Sequence, residues 1–243
     1  MPRFFVSKEE IGDNFMVLTG ENAAHAKVLR LKNGDEVTLC DGEGTDYRCT
    51  VSDVAPGQIS LVIHAAAPAQ SEASISCSIY MAFAKADKFE HVIQKATELG
   101  AAELVCFPSE RCVSRPDAKS LSKKLERWQK IAASAAEQSR RGIIPRVIAL
   151  ASYQEALERA AMADLAVCFY ENENDLTFRA AIEEAKPHTA ALLTGPEGGF
   201  ELEEIRQAEQ AGLKICTLGK RILRCETAPL CALSALMYAA GEF

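Results

Sequence analysis

The sequence predicts an α/β protein in two parts, a small β-barrel followed by a domain whose parallel sheet is covered by helices on both faces. Three observations carry this. Short apolar or alternating runs, separated by glycine-containing turns, crowd residues 1–64. A tract of small residues, "AAAPAQSEA" at 65–73, interrupts that texture. From residue 75 onward, strand-like runs alternate with amphipathic helical ones, the pattern of βα units and a parallel sheet.

In the first part, residues 15–18, 36–40, 47–54 and 59–63 read as strands, and 21–31 as one short helix. The turns at Gly20, Gly34, Gly42 and Gly57 set their ends. The small-residue tract reads as a linker, which gives domains at 1–70 and 74–243. In the second part the strand runs are 77–83, 104–107, 147–150, 165–170, 189–194 and 213–218. Phe89, Val92, Ile93, Ala96 and Leu99 share one helical face, and Gly100 is the helix stop. Leu121, Leu125, Trp128, Ile131, Ala132 and Ala135 stripe a second helix, which makes Trp128 a core residue. Ser152 and Glu155 have capping-box spacing. Residues 227–241 carry no charge. They are too few to span a bilayer and read as a buried helix capped by Thr227, with Pro229 in its first turn.

Composition narrows the function classes. With 48% hydrophobic and 25% charged residues, the chain can bury a core. Nine cysteines show no Cys-x-x-Cys spacing and no neighbouring histidine cluster. Reduced thiols in a cytoplasmic protein are expected, not zinc or disulfides. The first residues show no apolar signal stretch, and no membrane association is expected. The net charge of -7 argues against indiscriminate nucleic-acid binding. Residues 111–146, however, hold ten basic side chains against three acidic ones. That segment is either a solvated helix face or a phosphate-binding strip. Gln138, Arg140 and Arg141 close it, and arginine forks match phosphate oxygens.

The C-terminal 50 or so residues carry the chemistry. They read strand, loop, helix, strand, loop, helix. The first loop, Thr194, Gly195, Pro196, Glu197, Gly198 and Gly199, leaves the carboxyl end of a strand, where ligands of open α/β sheets bind. It matches neither glycine-rich phosphate motif. The second loop, 219–227, places Lys220, Arg221 and Arg224 beside Glu226, just before the uncharged helix.

"GPEGGF" at 195–200 followed by "LGKRILRCETA" at 218–228 resembles the RsmE family of ribosomal RNA methyltransferases, in the SPOUT superfamily. "PRFFV", "HAKVLRLKNGDEVTLCDGEG", "DKFEHVIQKATELGA", "SERCV" and "RWQKIAASAAEQSRRGIIP" extend the resemblance over the whole chain in the family's order. Cys112 and Cys225 stand where serine or threonine is at least as common. The resemblance implies a PUA-like RNA-binding barrel and a C-terminal chain threaded into a trefoil knot that binds S-adenosylmethionine. It also implies a homodimer, and methylation of uridine N3 in 16S ribosomal RNA, within the small subunit. On that basis Leu193, the 194–199 loop, Leu218, Gly219, Ile222, Leu223, Arg224, Thr227 and Ala228 are the expected cofactor residues. Arg224 is the expected stabiliser of charge on the uracil oxygens. Glu197 or Glu226 is the expected proton acceptor, Glu197 first, unless either instead holds the cofactor or fixes a loop. Arg3, His25, Arg30, Arg111, Arg115, Gln138, Arg140 and Arg141 are the expected RNA contacts, although for His25 a packed or solvated role competes. Two rival readings are a non-catalytic ribosome-assembly protein of the same fold and a methyltransferase for another RNA position.

Overall fold

The computed structural model describes residues 1–243 and divides into two compact units, residues 1–72 with 136–144, and residues 73–135 with 145–243. The ranges expected from the sequence, 1–70 and 74–243, differ chiefly in the stretch 136–144. Its membership in the first unit had no signal in the composition.

The first unit is a five-stranded sheet of β1 (Arg3–Phe5), β2 (Phe15–Leu18), β3 (Glu36–Cys40), β4 (Thr45–Ala55) and β5 (Gln58–Pro68), with one helix, α1 (Gly20–Val28). The strand order is β1-β3-β4-β5-β2. β1 and β2 end that order without pairing to each other, so the barrel is open. β1, too short for its alternation to be seen, was not expected; it runs parallel to β3. Residues 65–68, read as linker, instead extend β5 and pair with 45–48. Alanine is a poor strand former, but ladder pairing decides there. Arg30 adopts φ +58 and ends α1 three residues earlier than expected. Phe4, Leu18, Leu39 and Leu61 are fully buried in the core, each contributing about 1.5–3 kcal/mol of burial. The 136–144 segment joins this unit through Gly142, whose carbonyl accepts from Gly44 N at 3.0 Å and from Cys40 Sγ at 3.0 Å. A Cβ on Gly142 would stand 2.1 Å from that of Ala69, so only glycine fits.

The second unit contains β6 (Ser76–Ala82), α2 (Lys88–Glu98), β7 (Glu103–Phe107), most of α3 (Ala118–Gln138), β8 (Arg146–Ala149), α4 (Tyr153–Ala160), β9 (Leu165–Phe169), α5 (Phe178–Ala185), β10 (Thr189–Thr194), α6 (Leu202–Gln210), β11 (Lys214–Cys216) and α7 (Thr227–Ala239). Its six strands lie in the order β11-β9-β10-β6-β7-β8, every pairing parallel. From β6 the chain steps outward to β7 and β8, then returns to the other side of β10. The β6/β10 boundary is therefore the topological switch point, where open sheets leave a crevice at the carboxyl ends. After β11, at the edge, the chain comes back so that α7 packs on α2, α5, β6 and β10. Gly100 stops α2 as expected, at a φ of +95 that L side chains rarely adopt.

Two cap expectations need correction. Ser152 accepts from Glu155 N at 3.1 Å, but the Glu155 carboxylate reaches back to Ala151 N, not to the cap residue. Thr227 is the first helical residue of α7, not its cap. The cap position falls to Glu226, and no side chain caps the helix. Trp128 is buried as expected, edge-on to Phe89 with centroids 4.9 Å apart.

Candidate cofactor and active site

Three chain segments leave the carboxyl ends of adjacent strands and enclose one cavity of about 600 Å³. Residues 195–200 follow β10, residues 217–225 follow β11, and Tyr170, Glu171 and Asn174 follow β9. Lys88, at the start of α2, and Ala228, in the first turn of α7, complete the wall.

The glycines are needed where the sequence puts them. The glycine loop closes through Gly199 N donating to Pro196 O at 3.0 Å. Gly199 sits at φ +68, and a Cβ there would lie 2.7 Å from the Glu171 carboxylate. A Cβ on Gly195 would lie 3.1 Å from the backbone of Gly199. The loop therefore presents bare backbone to the cavity, as close approach to a flat ligand requires. Phe200 anchors it, fully buried beside Tyr153. Arg111, following β7, donates to Gly198 O at 2.8 Å and grips both oxygens of Glu201, at 2.7 and 2.9 Å.

The charged wall is organised by Lys88. Its Nζ lies 3.0 Å from Glu197 Oε1, 3.6 Å from Glu226 Oε2 and 3.6 Å from Cys225 Sγ. Glu197 also accepts from Lys85 N at 2.9 Å. Burial pushes the Glu197 carboxyl up, but the Lys85 N–H and the Lys88 ammonium outweigh it and hold the carboxyl below its ordinary range. Glu226 is likewise lowered, burial being outweighed by its hydrogen bonds and Lys88. Burial and the adjacent carboxylates push the Cys225 thiol up to about 11. A carboxylate held ionised by an ammonium is a weak base. Glu197 is therefore better suited to fixing the loop than to accepting a proton. Lys220, Arg221 and Arg224 are exposed and make no side-chain hydrogen bond or ion pair. The Arg224 carbonyl accepts from Thr227 N and Ala228 N, at 2.8 and 3.0 Å, tying the loop to α7.

Of the expected cofactor residues, all line the cavity except Leu193, buried in β10, and Thr227, exposed at the start of α7. The sequence reading missed Lys88, Tyr170, Glu171, Asn174 and Thr217. A cation at the first position of a helix, where the helix dipole disfavours it, was the one signal for Lys88.

The expected RNA contacts divide. Arg30, Gln138 and Arg140 are exposed. His25 is also exposed, with its ring 3.1 Å from Glu137 Oε1 and edge-on to Phe4. Four others are engaged within the chain. Arg3 makes a bidentate pair with Asp46 at 2.5 and 2.6 Å. Arg141, 4% exposed, pairs with Glu72 at 2.6 Å. Arg115 donates to the carbonyls of Ser109, Glu110 and Cys112, and Arg111 holds the glycine loop. The Arg3 and Arg141 guanidinium groups are largely buried and must be paired, whereas Arg111 and Arg115 are exposed while keeping partners within the chain. The basic strip survives elsewhere: Lys119, Lys123, Arg127 and Lys130 are exposed along one face of α3.

A cleft walled by glycine loops at the switch point of an open parallel sheet is the ligand-binding place of an α/β protein. Residues 71–237 match the family model for an RNA methyltransferase domain, and residues 18–63 match that for an RNA methyltransferase PUA domain. The chain is 39% identical to ribosomal RNA small subunit methyltransferase E of Bacillus subtilis, covering 98% of this chain and 96% of that one. It is 34% identical to the protein of that name from Synechocystis, over 96% of this chain and 76% of that one. A crystal structure of ribosomal RNA small subunit methyltransferase E from Neisseria gonorrhoeae, bound to S-adenosylmethionine, superposes with a TM-score of 0.86 at 30% identity, covering 98% of both chains. The chain belongs to the ribosomal RNA small subunit methyltransferase E family. It is an S-adenosylmethionine-dependent methyltransferase with an appended PUA domain.

Proposed function

We propose that this enzyme methylates N3 of a uridine in 16S ribosomal RNA, acting in the cytoplasm as a homodimer on the small ribosomal subunit or its precursor. The observation that carries the catalytic part is the unpaired Arg224 guanidinium on the wall of a cavity lined by bare glycine backbone. The cofactor supplies an electrophilic methyl group. The chain must align a base with it, and most of the rate comes from that alignment. As N3 gives up its proton to solvent water, negative charge spreads to the flanking uracil oxygens. In this reading Arg224, free of internal partners, stabilises that charge. The base must be unstacked to enter such a cleft. Exposed cations on α3 supply phosphate contacts that set register without reading sequence. The dimer reading rests on α7, whose outer face is apolar and exposed.

The test is methyl transfer to small ribosomal subunits, followed by mass spectrometry of the RNA. Arg224→Ala should lower turnover by about 100-fold or more, while affinity for S-adenosylhomocysteine stays within a few-fold. Normal turnover in that variant removes Arg224 from the chemistry. A methyl group found at another atom or another nucleotide overturns the substrate assignment.

A further inference from the structure

We infer that Lys88 is a positioning residue that latches the two cofactor loops together across the switch point, by neutralising Glu197 on one loop and Glu226 on the other. The inference rests on the reading of this cavity as the S-adenosylmethionine site and adds to it a residue outside both loops.

The geometry comes from three separate elements. Lys88 is the first residue of α2, which follows β6. Glu197 lies in the loop after β10, the strand next to β6. Glu226 stands at the cap position of α7 and ends the loop after β11. The ammonium bridges them, 3.0 Å from one carboxylate and 3.6 Å from the other. All three side chains are about a quarter exposed, so the charges are partly desolvated and only partly screened. Lys85 N, in the turn leading into α2, donates to the same Glu197 oxygen, so the start of α2 grips the glycine loop twice. The helix dipole disfavours a cation at this position. The two carboxylates offset that cost, which points to a role for the lysine beyond helix formation.

The titratable groups facing the ammonium are Glu197, Glu226 and the Cys225 thiol. The thiol stays neutral at ordinary pH because its pKa is pushed up to about 11. Without the ammonium, two carboxylates would face one another. One would then titrate at higher pH than in the parent protein, by like-charge repulsion. In the parent protein both carboxyls lie below their ordinary range, so cofactor affinity should be flat from pH 5.5 to 8. In Lys88→Met, the loops should spread as the carboxylates ionise with rising pH and close again as one is protonated with falling pH.

The experiment is calorimetric titration of the full-length protein with S-adenosylhomocysteine at pH 5.5 and pH 8, beside its melting temperature and its kinetics on small subunits. Lys88→Met should weaken binding by on the order of tenfold at pH 8, and most of that loss should disappear at pH 5.5. Lys88→Arg should restore affinity. The double variant Lys88→Met/Glu226→Gln should recover much of it at pH 8, since no repelling pair remains. The rise in KM for S-adenosylmethionine should exceed the fall in kcat. Equal affinity of Lys88→Met and the parent at pH 8 overturns the latch. So does a loss that is the same at both pH values and is not relieved by Glu226→Gln, which would mark a merely structural lysine. Failure of the parent protein to bind S-adenosylhomocysteine would instead overturn the reading of the cavity.

Discussion

A side chain's type in a motif says less about its task than the partners it keeps. Glu197 lies in a cofactor loop and has the chemistry of a base, yet Lys85 N and the Lys88 ammonium hold it ionised. Arg140 and Arg141 are adjacent and identical, yet one is exposed and the other is 4% exposed and paired with Glu72. The two should therefore fail differently. Arg141→Ala strands a carboxylate that still accepts from Gly142 N and Ile143 N, and it should cost about 2–4 kcal/mol of stability, discounted from a fully buried pair because Glu72 is partly exposed. Arg140→Ala should leave stability within about 0.5 kcal/mol. Urea denaturation of both variants checks this, and equal midpoints would show that the Glu72 pair contributes nothing. At Gly199 the conflict is steric. Gly199→Val places a β-branched residue at φ +68, against the Glu171 carboxylate. The variant should lose the rise in melting temperature that S-adenosylmethionine gives by mass action while staying folded. A normal rise would mean that the loop has room the geometry denies.

At the scale of elements, α3 is the one whose function the packing leaves open. Trp128, Ala132, Ala135 and Ala136 fix its inner side, while Lys119, Lys123, Arg127 and Lys130 form an outer ridge on the same 21-residue helix. Only Arg127 has a carboxylate partner there, Glu90 at 2.6 Å. Replacing Lys119, Lys123 and Lys130 with alanine should weaken RNA binding. It should also flatten the log–log salt dependence by about 0.7–0.9 for every phosphate left without its cation, with cofactor affinity unchanged. Filter binding across a salt series measures it, and an unchanged slope would make the ridge a solvated face. This ridge was legible only as net charge: counting ten cations in residues 111–146 could not tell Lys123 from Arg141, because burial is set by which elements meet. The same limit applies at the site. The two C-terminal loops could be read because glycine, proline and cations mark backbone conformation locally. Tyr170 and Glu171 could not, and Lys88 showed only as a cation oddly placed at a helix start, since their place in the site depends on β6 and β9 flanking β10, a strand order that no periodicity encodes. The strands of the large sheet were read nearly residue for residue, since burial on both faces makes them continuous apolar runs. β11 was overextended to 213–218 because Leu213 and Leu218 are apolar for other reasons. Leu213 is buried at its start, and Leu218 lines the cavity.

For the molecule as a whole, the open question is what covers α7. Its inner side, Pro229, Ala232, Leu233, Leu236 and Met237, is buried. Its outer side runs Thr227, Cys231, Ala235 and Tyr238, all exposed and all within one helical stripe. Tyr238 is 73% exposed, Phe243 69%, and Ile222, in the loop before the helix, 83%. No charge interrupts the helix. A stripe of this kind suits an isologous contact, in which the same patch meets its own copy about a two-fold axis. In that geometry a substitution near the axis counts twice, because each copy faces its equivalent. Ala235→Arg should then set two guanidinium groups against each other where apolar surface had been buried. The parent protein should sediment at micromolar concentration with about twice the 26.4 kDa mass of the chain, and Ala235→Arg should sediment as the single chain with its secondary structure intact. Position 235 lies on the far side of α7 from the buried core, so the substitution can be read as a test of association and not of folding. A parent protein that sediments as a monomer would remove the dimer from the proposal. A dimer that survives Ala235→Arg would place the interface on another face.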